Sequence, residues 1–147
     1  MKTKWLFLFL ISSLGTFAQF APQPSFFRTQ REMPLVELTT TSTILVSSYG
    51  AVVNDGIDDR AAIQSAINAA VSAGTLQNPV RLLFDQGTYD LKPTSGTHSL
   101  TMNNAKGVLF DGNGAEFMIH NPVIGFLSTL RCTNTIIKDL SVDYFPQ

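Results

Sequence analysis

The feature that most constrains the fold is a change of period at Gly74. Before it, Ile63, Ala66, Ile67, Ala70 and Val71 recur at i, i+3, i+4, i+7 and i+8 and form one helical stripe. After it come short strand-like runs: Val80–Phe84, Gly87–Leu91, Ser99–Met102, Val108–Phe110, Glu116–Ile119, Phe126–Leu130 and Ile136–Tyr144. Their separators are Gly- and Asn-rich, as in Asn103-Asn104, Gly112-Asn113-Gly114 and Thr133-Asn134-Thr135. Short strands divided by such corners restrict the chain to an all-β sandwich, a barrel or a β-helix.

An internal recurrence favours the last of these while leaving a sandwich open. Leu82-Leu83-Phe84-Asp85, Val108-Leu109-Phe110-Asp111 and Ile136-Ile137-Lys138-Asp139 follow one another at offsets of 26 and 28 residues, in the range of solenoid repeats. In a β-helix each period is one coil of three short strands, and equivalent strands stack about 4.8 Å apart.

The stripe predicts an α-helix from Arg60 to Ala73, ended by Gly74. Asn54-Asp55-Gly56 reads as a turn, and one of Asp58 and Asp59 is expected to accept from the first free helical N–H groups. Ile44-Leu45-Val46 is expected as a strand. Residues 19–43, with Pro22, Pro24, Phe26, Phe27 and a Thr/Ser run, read as an extended leader. Residues 1–18 carry Lys2 and Lys4, an apolar run from Trp5 to Leu14, and Thr16-Phe17-Ala18 before Gln19. That is the pattern of a signal peptide, and the run is shorter than the roughly 20 residues that span a bilayer. A secreted or periplasmic protein is therefore expected.

Without Lys2 and Lys4, the ten basic residues fall to eight against eleven acidic ones. That balance, with no basic cluster, argues against nucleic acid and against a membrane surface once the signal is removed. It leaves a polysaccharide or oligosaccharide partner open. Cys132 is the single cysteine, so no intrachain disulfide staples the exported protein.

The segment Tyr49-Gly50-Ala51-Val52-Val53-Asn54-Asp55-Gly56-Ile57-Asp58-Asp59, running into Arg60–Ile67, closely resembles the opening signature of the pectate-lyase-like superfamily. Gly87-Thr88-Tyr89 matches that family's next element, with Asp85-Gln86 where many relatives have a proline before the glycine. Phe110–Ala115 and Asn134–Asp139 look like its early coils, so the likeness covers residues 44–147. The resemblance implies a right-handed parallel β-helix, with the short helix 60–73 capping its N-terminal end, and a chain that is an N-terminal fragment of a longer solenoid. It also implies a carbohydrate-active parent. A glycoside hydrolase of pectin-like or galactose-containing polysaccharide comes first, then a polysaccharide lyase or epimerase with calcium as its cofactor, and then a non-catalytic glycan-binding or adhesion solenoid. No other cofactor is implied.

The reacting aspartates of such hydrolases lie on middle coils, and their Asn-Thr-Asp, Asp-Asp and Gly-His-Gly clusters have no counterpart here. Catalytic residues are thus expected beyond residue 147, and the fragment alone is expected to be inactive. The local candidates are Asp111, Asp139 and Asp143. If the recurrence sets the register, Asp85, Asp111 and Asp139 stack in neighbouring coils, close enough for one carboxylate to raise the pKa of another. The competing and favoured reading makes each a turn residue. Asp143 alternates with Val142 and Tyr144 and is expected to point outward while they point in. Tyr144 and Phe145 are a sugar-stacking platform in one reading and core or corner packing in the favoured one. Asp55, Asp58 and Asp59 lack the spacing of a calcium loop, and helix capping accounts for them better. His98 and His120 have no metal-ligating partner in the sequence, so no metal site is expected.

Overall fold

A computed structural model describes residues 37–145. The expected signal peptide at 1–18 and the leader up to residue 36 lie outside the described residues. Residues 37–41 have no regular structure and lead into β1 (Ser42–Leu45), which passes into one turn of 3-10 helix at Val46–Tyr49. There follow α1 (Arg60–Ala73), β2 (Val80–Leu83), β3 (Thr88–Leu91), β4 (His98–Asn103), β5 (Lys106–Ile119), β6 (Gly125–Leu130) and β7 (Thr133–Tyr144). The described chain is thus mostly strand with one α-helix, and every strand pair in it is parallel.

The helix has the bounds its stripe predicts, and Ile63, Ala66, Ile67 and Ala70 are its buried face. Apart from β7, which starts three residues early so that Thr133-Asn134-Thr135 lies inside it rather than before it, the strands match expectation within a residue or two, with one further difference. Val108–Phe110 and Glu116–Ile119 belong to a single strand, β5, and Gly112-Asn113-Gly114 is a bulge inside it rather than a turn between two. Asn113 and Gly114 take positive φ of 52° and 84° there, which redirects the strand without ending it.

From β2 onward, parallel partners recur at 25–28 residues, 25 past the bulge as Phe117 pairs with Val142 and 27 or 28 elsewhere. Val80 pairs with Val108 and Thr88 with Glu116, each 28 residues on; His98 pairs with Gly125 and Lys106 with Thr133, each 27 on. One edge of β5 therefore carries β2 and β3 in succession, and the other carries β7 along almost its whole length. The corners recur as well. Asn104 and Arg131, 27 apart, both have left-handed backbone, and so do Gly107 and Asn134.

Inward residues of successive passes pile into one aromatic core. Phe84 sits 4.6 Å from Phe110 and 5.2 Å from Phe117, and Phe117 lies 4.7 Å from Phe126, ring centre to ring centre. Tyr89 is fully buried beside them, and its hydroxyl accepts from Asp85 N at 3.1 Å. Burying aromatic rings of this size supplies much of the free energy of such a core.

The segment before the helix closes the other edge of this stack with side chains. In β3 the N–H groups of Thr88 and Asp90, and that of Lys92 just past it, point away from β5. They donate in turn to Asn54 Oδ1 (2.9 Å), Asp59 Oδ2 (3.2 Å) and Asp58 Oδ1 (3.0 Å). On β4, Gln64 of α1 plays the same part: Thr101 N donates to its Oε1 and its Nε2 donates to Thr101 O. An open strand edge invites pairing with another chain; here polar side chains take the N–H groups, and Asn54 N and Asp59 N donate to the carbonyls of Thr88 and Asp90. Helix capping therefore accounts for only part of the Asp58-Asp59 pair. Asp58 Oδ1 accepts from Arg60 N at the helix start, whereas Asp59 makes no cap bond and joins Val52 N to Asp90 N.

Candidate functional site

The recurrence that suggested stacked aspartates does not set the register. Leu82 pairs with Phe110 rather than Val108, and Ile136 with Leu109 rather than Val108. The second difference is a one-residue slip, which exchanges the two faces of a strand. Packing decides it: Val108 and Phe110 are fully buried, and Ile137, not Ile136, continues the row of Leu82 and Phe110. Asp111 consequently lies between Leu83 and Lys138, Asp139 occupies the bulge at φ 55°, and Asp85 lies exposed past the end of β2.

Asp111 points to the outer side of β5 and is nevertheless buried under two cations. Its Oδ2 accepts from Arg81 Nε at 2.9 Å and lies 2.7 Å from Arg81 Nη2 and 3.4 Å from Lys138 Nζ; Oδ1 accepts from Asn113 N at 3.1 Å. Burial by itself pushes this carboxyl up, but the Arg81 hydrogen bond, the Asn113 N–H and the two cationic charges outweigh it. The result is a pKa below the ordinary carboxylate value, so Asp111 is held ionised. Lys138 is shared with Asp139 Oδ2 at 2.8 Å, and the Asp139 hydrogen bond first, then the two negative charges, raise the lysine's pKa. In place of the alternative of stacked carboxylates there is a four-membered charge network, with a lysine between its acids, and Asp111 lies within β5 rather than at the turn the favoured reading gave it.

The outer side of β3, β5 and β7 carries a second group. Thr88, Glu116 and Ser141 form one row across the strands, and Asp90, Met118 and Asp143 the next. His120 follows β5, with its N–H on Leu91 O, and Phe145 follows β7, with its N–H on Ile119 O. Asp143 points outward as expected, between the inward residues Val142, opposite Phe117, and Tyr144, opposite Ile119. Phe145 is on the outer side, its ring stacked on the His120 imidazole at 4.7 Å and 15°. His120 Nε2 lies 2.5 Å from Asp90 Oδ1, and Thr88 Oγ1 donates to Glu116 Oε2 at 3.1 Å. Neither Arg81 and Lys138 beside Asp111 nor His120 beside Asp90 stands out in the sequence. These contacts join residues 27 to 30 positions apart, and only the register brings them together.

Asp55 Oδ1 accepts from Ile57 N in a local turn, and Asp58 pairs with Arg60. His98 Nδ1 lies 3.0 Å from Thr97 Oγ1. Among the described residues no group of three or more His, Cys, Asp or Glu side chains is placed to hold a metal ion, and no helix is long and apolar enough to cross a membrane.

No family model matches the chain. Over 120 residues it is 26% identical to an alpha-1,3-galactosidase B of Phocaeicola vulgatus, a match covering 71% of this chain and 20% of that protein. Over 125 residues it is 30% identical to an alpha-1,3-galactosidase A of Streptomyces avermitilis, covering 71% of this chain and 19% of the relative. The chain spans about a fifth of the length of these curated relatives.

Proposed function

We propose that this chain belongs to an exported glycoside hydrolase that acts on galactose-containing oligosaccharides or polysaccharides, and that its parallel passes are early coils of a right-handed β-helix of the pectate-lyase-like kind. The observation that carries the activity is the similarity to two alpha-1,3-galactosidases over 71% of the chain. The β-helix is supported by the parallel pairing at 25–28 residues from β2 onward and by corners that recur 27 residues apart. Export is supported by the pattern of residues 1–18. The similarity moves the substrate from pectin-like polymers, the other half of the sequence-based expectation, toward galactosides.

Of the candidate residues, Asp111 does not suit the acid role in this chemistry. A general acid must hold a proton near its working pH, and Asp111 is held ionised by Arg81 and Lys138. The reacting carboxylates are assigned to parts of the protein outside the described passes. The test is to express the full reading frame and, separately, the 147-residue chain, and to assay both on α-1,3-linked galactosides and on polygalacturonate. Galactose released by the first and not by the second is the expected result. Unsaturated products from polygalacturonate would replace the hydrolase with a lyase, and binding without turnover would replace it with an adhesion solenoid.

A further inference from the structure

We propose that Asn113, in the Gly112-Asn113-Gly114 bulge, is a site of self-modification, where the side-chain amide is lost and aspartate or isoaspartate is left. Asn113-Gly114 is the single Asn-Gly step of the chain. Gly114 has φ of 84°, a conformation that glycine adopts freely, so the residue after Asn113 carries no side chain to shield its nitrogen.

The fold leaves this step open. Pairing with β2 stops at Asp111, pairing with β3 starts at Glu116, and the β7 register jumps from Asp111 to Ala115. Gly112, Asn113 and Gly114 thus have no register partner on either side. Asn113 and Gly114 are exposed, and nothing lies within 4 Å of where a Cβ on Gly114 would stand. β5 already has neighbours on both edges, so coils stacked beyond β7 do not lie against the bulge. One bond restrains the side chain: Nδ2 donates to Phe84 O at 3.2 Å.

The other steps are closed. Asn78 and Asn121 precede proline, whose nitrogen has no hydrogen to lose. The remaining asparagines precede residues with side chains, and Asn54 Oδ1 is in addition held by Thr88 N. Asp111-Gly112 has a buried carboxylate, and a Cβ on Gly112 would lie 2.5 Å from Leu140 Cβ.

The chemistry needs only water. The Gly114 nitrogen gives up its proton and bonds to Cγ of Asn113; the Cγ–Nδ2 bond breaks, ammonia leaves, and a cyclic imide closes. Water then opens the ring. Attack at the Cγ carbonyl leaves aspartate, and attack at the main-chain carbonyl leaves isoaspartate, with the side-chain methylene now in the backbone. The sum is one water in and one ammonia out. Either product loses the donor to Phe84 O and sets a new carboxylate beside Asp111, whose Oδ1 accepts from Asn113 N. Isoaspartate also lengthens the main chain where β5 passes from β2 to β3, so the modified chain is less stable.

The test is to age the purified 147-residue chain in mildly alkaline buffer, folded and in parallel unfolded in urea, and to follow each asparagine by peptide mass spectrometry. In the folded chain Asn113 should convert first, to a mixture of aspartate and isoaspartate, at a rate within a few-fold of the unfolded chain. Gly114→Ala should slow the conversion severalfold in a chain that still folds. Asn113→Gln, whose longer side chain closes the ring poorly, should abolish it. Aged protein separated by charge should melt below fresh protein. Asn113 that survives in the folded chain while converting in urea, or another asparagine that converts first, overturns the proposed site. An aged fraction with an unchanged melting temperature overturns the loss of stability assigned to it.

Discussion

At the scale of single residues, the buried and half-buried carboxylates pull stability in opposite directions with pH. Burial pushes the Asp59 carboxyl up and the negative charges of Asp55 and Asp90 add to it, against the Val52 and Asp90 N–H groups that favour ionisation. A raised acid costs stability when ionised, so that cost disappears as the pH falls through its pKa, above the ordinary 3.8. Asp58 and Asp111 behave in the reverse way. Burial raises each, but hydrogen bonds and cations lower each further, so their stabilisation is present above 3.8 and is lost as the pH drops through their depressed values. Melting temperature measured from neutral pH downward should hold or rise slightly, then fall below 3.8. Asp59→Asn should abolish the early rise. The same substitution should cost about 1–3 kcal/mol at neutral pH, because its NH2 group opposes one of the two backbone donors that the carboxylate satisfies. A urea titration reads that loss directly.

The Asp111 network allows a second comparison between residues. Arg81→Ala strips the buried carboxylate of its nearest cation, and a loss of about 1–3 kcal/mol is expected, below the usual cost for a fully buried pair because the arginine is one-third exposed. Lys138 is more exposed than Arg81, so Lys138→Ala should cost less than Arg81→Ala. Equal losses in the two variants would show that Lys138 supports Asp111 as much as Arg81 does.

At the scale of elements, the limits of the strands were readable and their alignment was not. The Ile/Ala stripe and Gly74 mark α1 to the residue, because both signals are local. Register depends on which partner buries which face. A motif such as Leu-Leu-Phe-Asp matches its copies by type and can still slip by one, as Ile136 does against Leu109. Gly112-Asn113-Gly114 carries the residues of a turn and makes a bulge, since β7 continues unbroken beside it. Asp58 and Asp59 read as caps because their spacing suits a helix start, yet their main acceptors face β3 and Val52, elements no local pattern reveals. The outward position of Asp143 was readable because strand alternation is local; the contact of His120 with Asp90 was not.

The corner glycine Gly107 tests how tightly these elements are stacked. It has φ of 61°, and a Cβ placed on it would lie 2.1 Å from the Thr75 carbonyl oxygen, so the loop after α1 presses directly on the start of β5. Gly114, at φ 84°, has nothing within 4 Å of the same position. Gly114→Ala should cost only backbone strain, about 1 kcal/mol. Gly107→Ala must also displace a carbonyl and should cost clearly more, read as a larger drop in urea midpoint at unchanged slope.

At the scale of the whole molecule, parallel stacking ranks the strands by how many partners each has. β5 is bonded on both edges, to β2 and β3 on one side and β7 on the other, and its inward residues hold the aromatic core. β7 is bonded only to β5 among the described residues. In a parallel strand alternate residues present their N–H groups to opposite edges. The irregularity at Asp139 shifts this alternation: before it Ile136 and Lys138 face the ladder, and after it Ser141, Asp143 and Phe145 do. Hydrogen exchange of the 147-residue chain should therefore show continuous protection along β5 and alternating protection along β7, strong at even positions from 136 to 138 and at odd positions from 141 to 145. Ile137, Val142 and Tyr144 crowd the inner side of that same strand and remain partly exposed, so a strand added at this edge would bury apolar surface as well as fill the free bonds. Uniform protection along β7, together with a solution mass of two chains, would mean that a second copy pairs there. Alternating protection in a monomer would leave the edge free, as the register describes it.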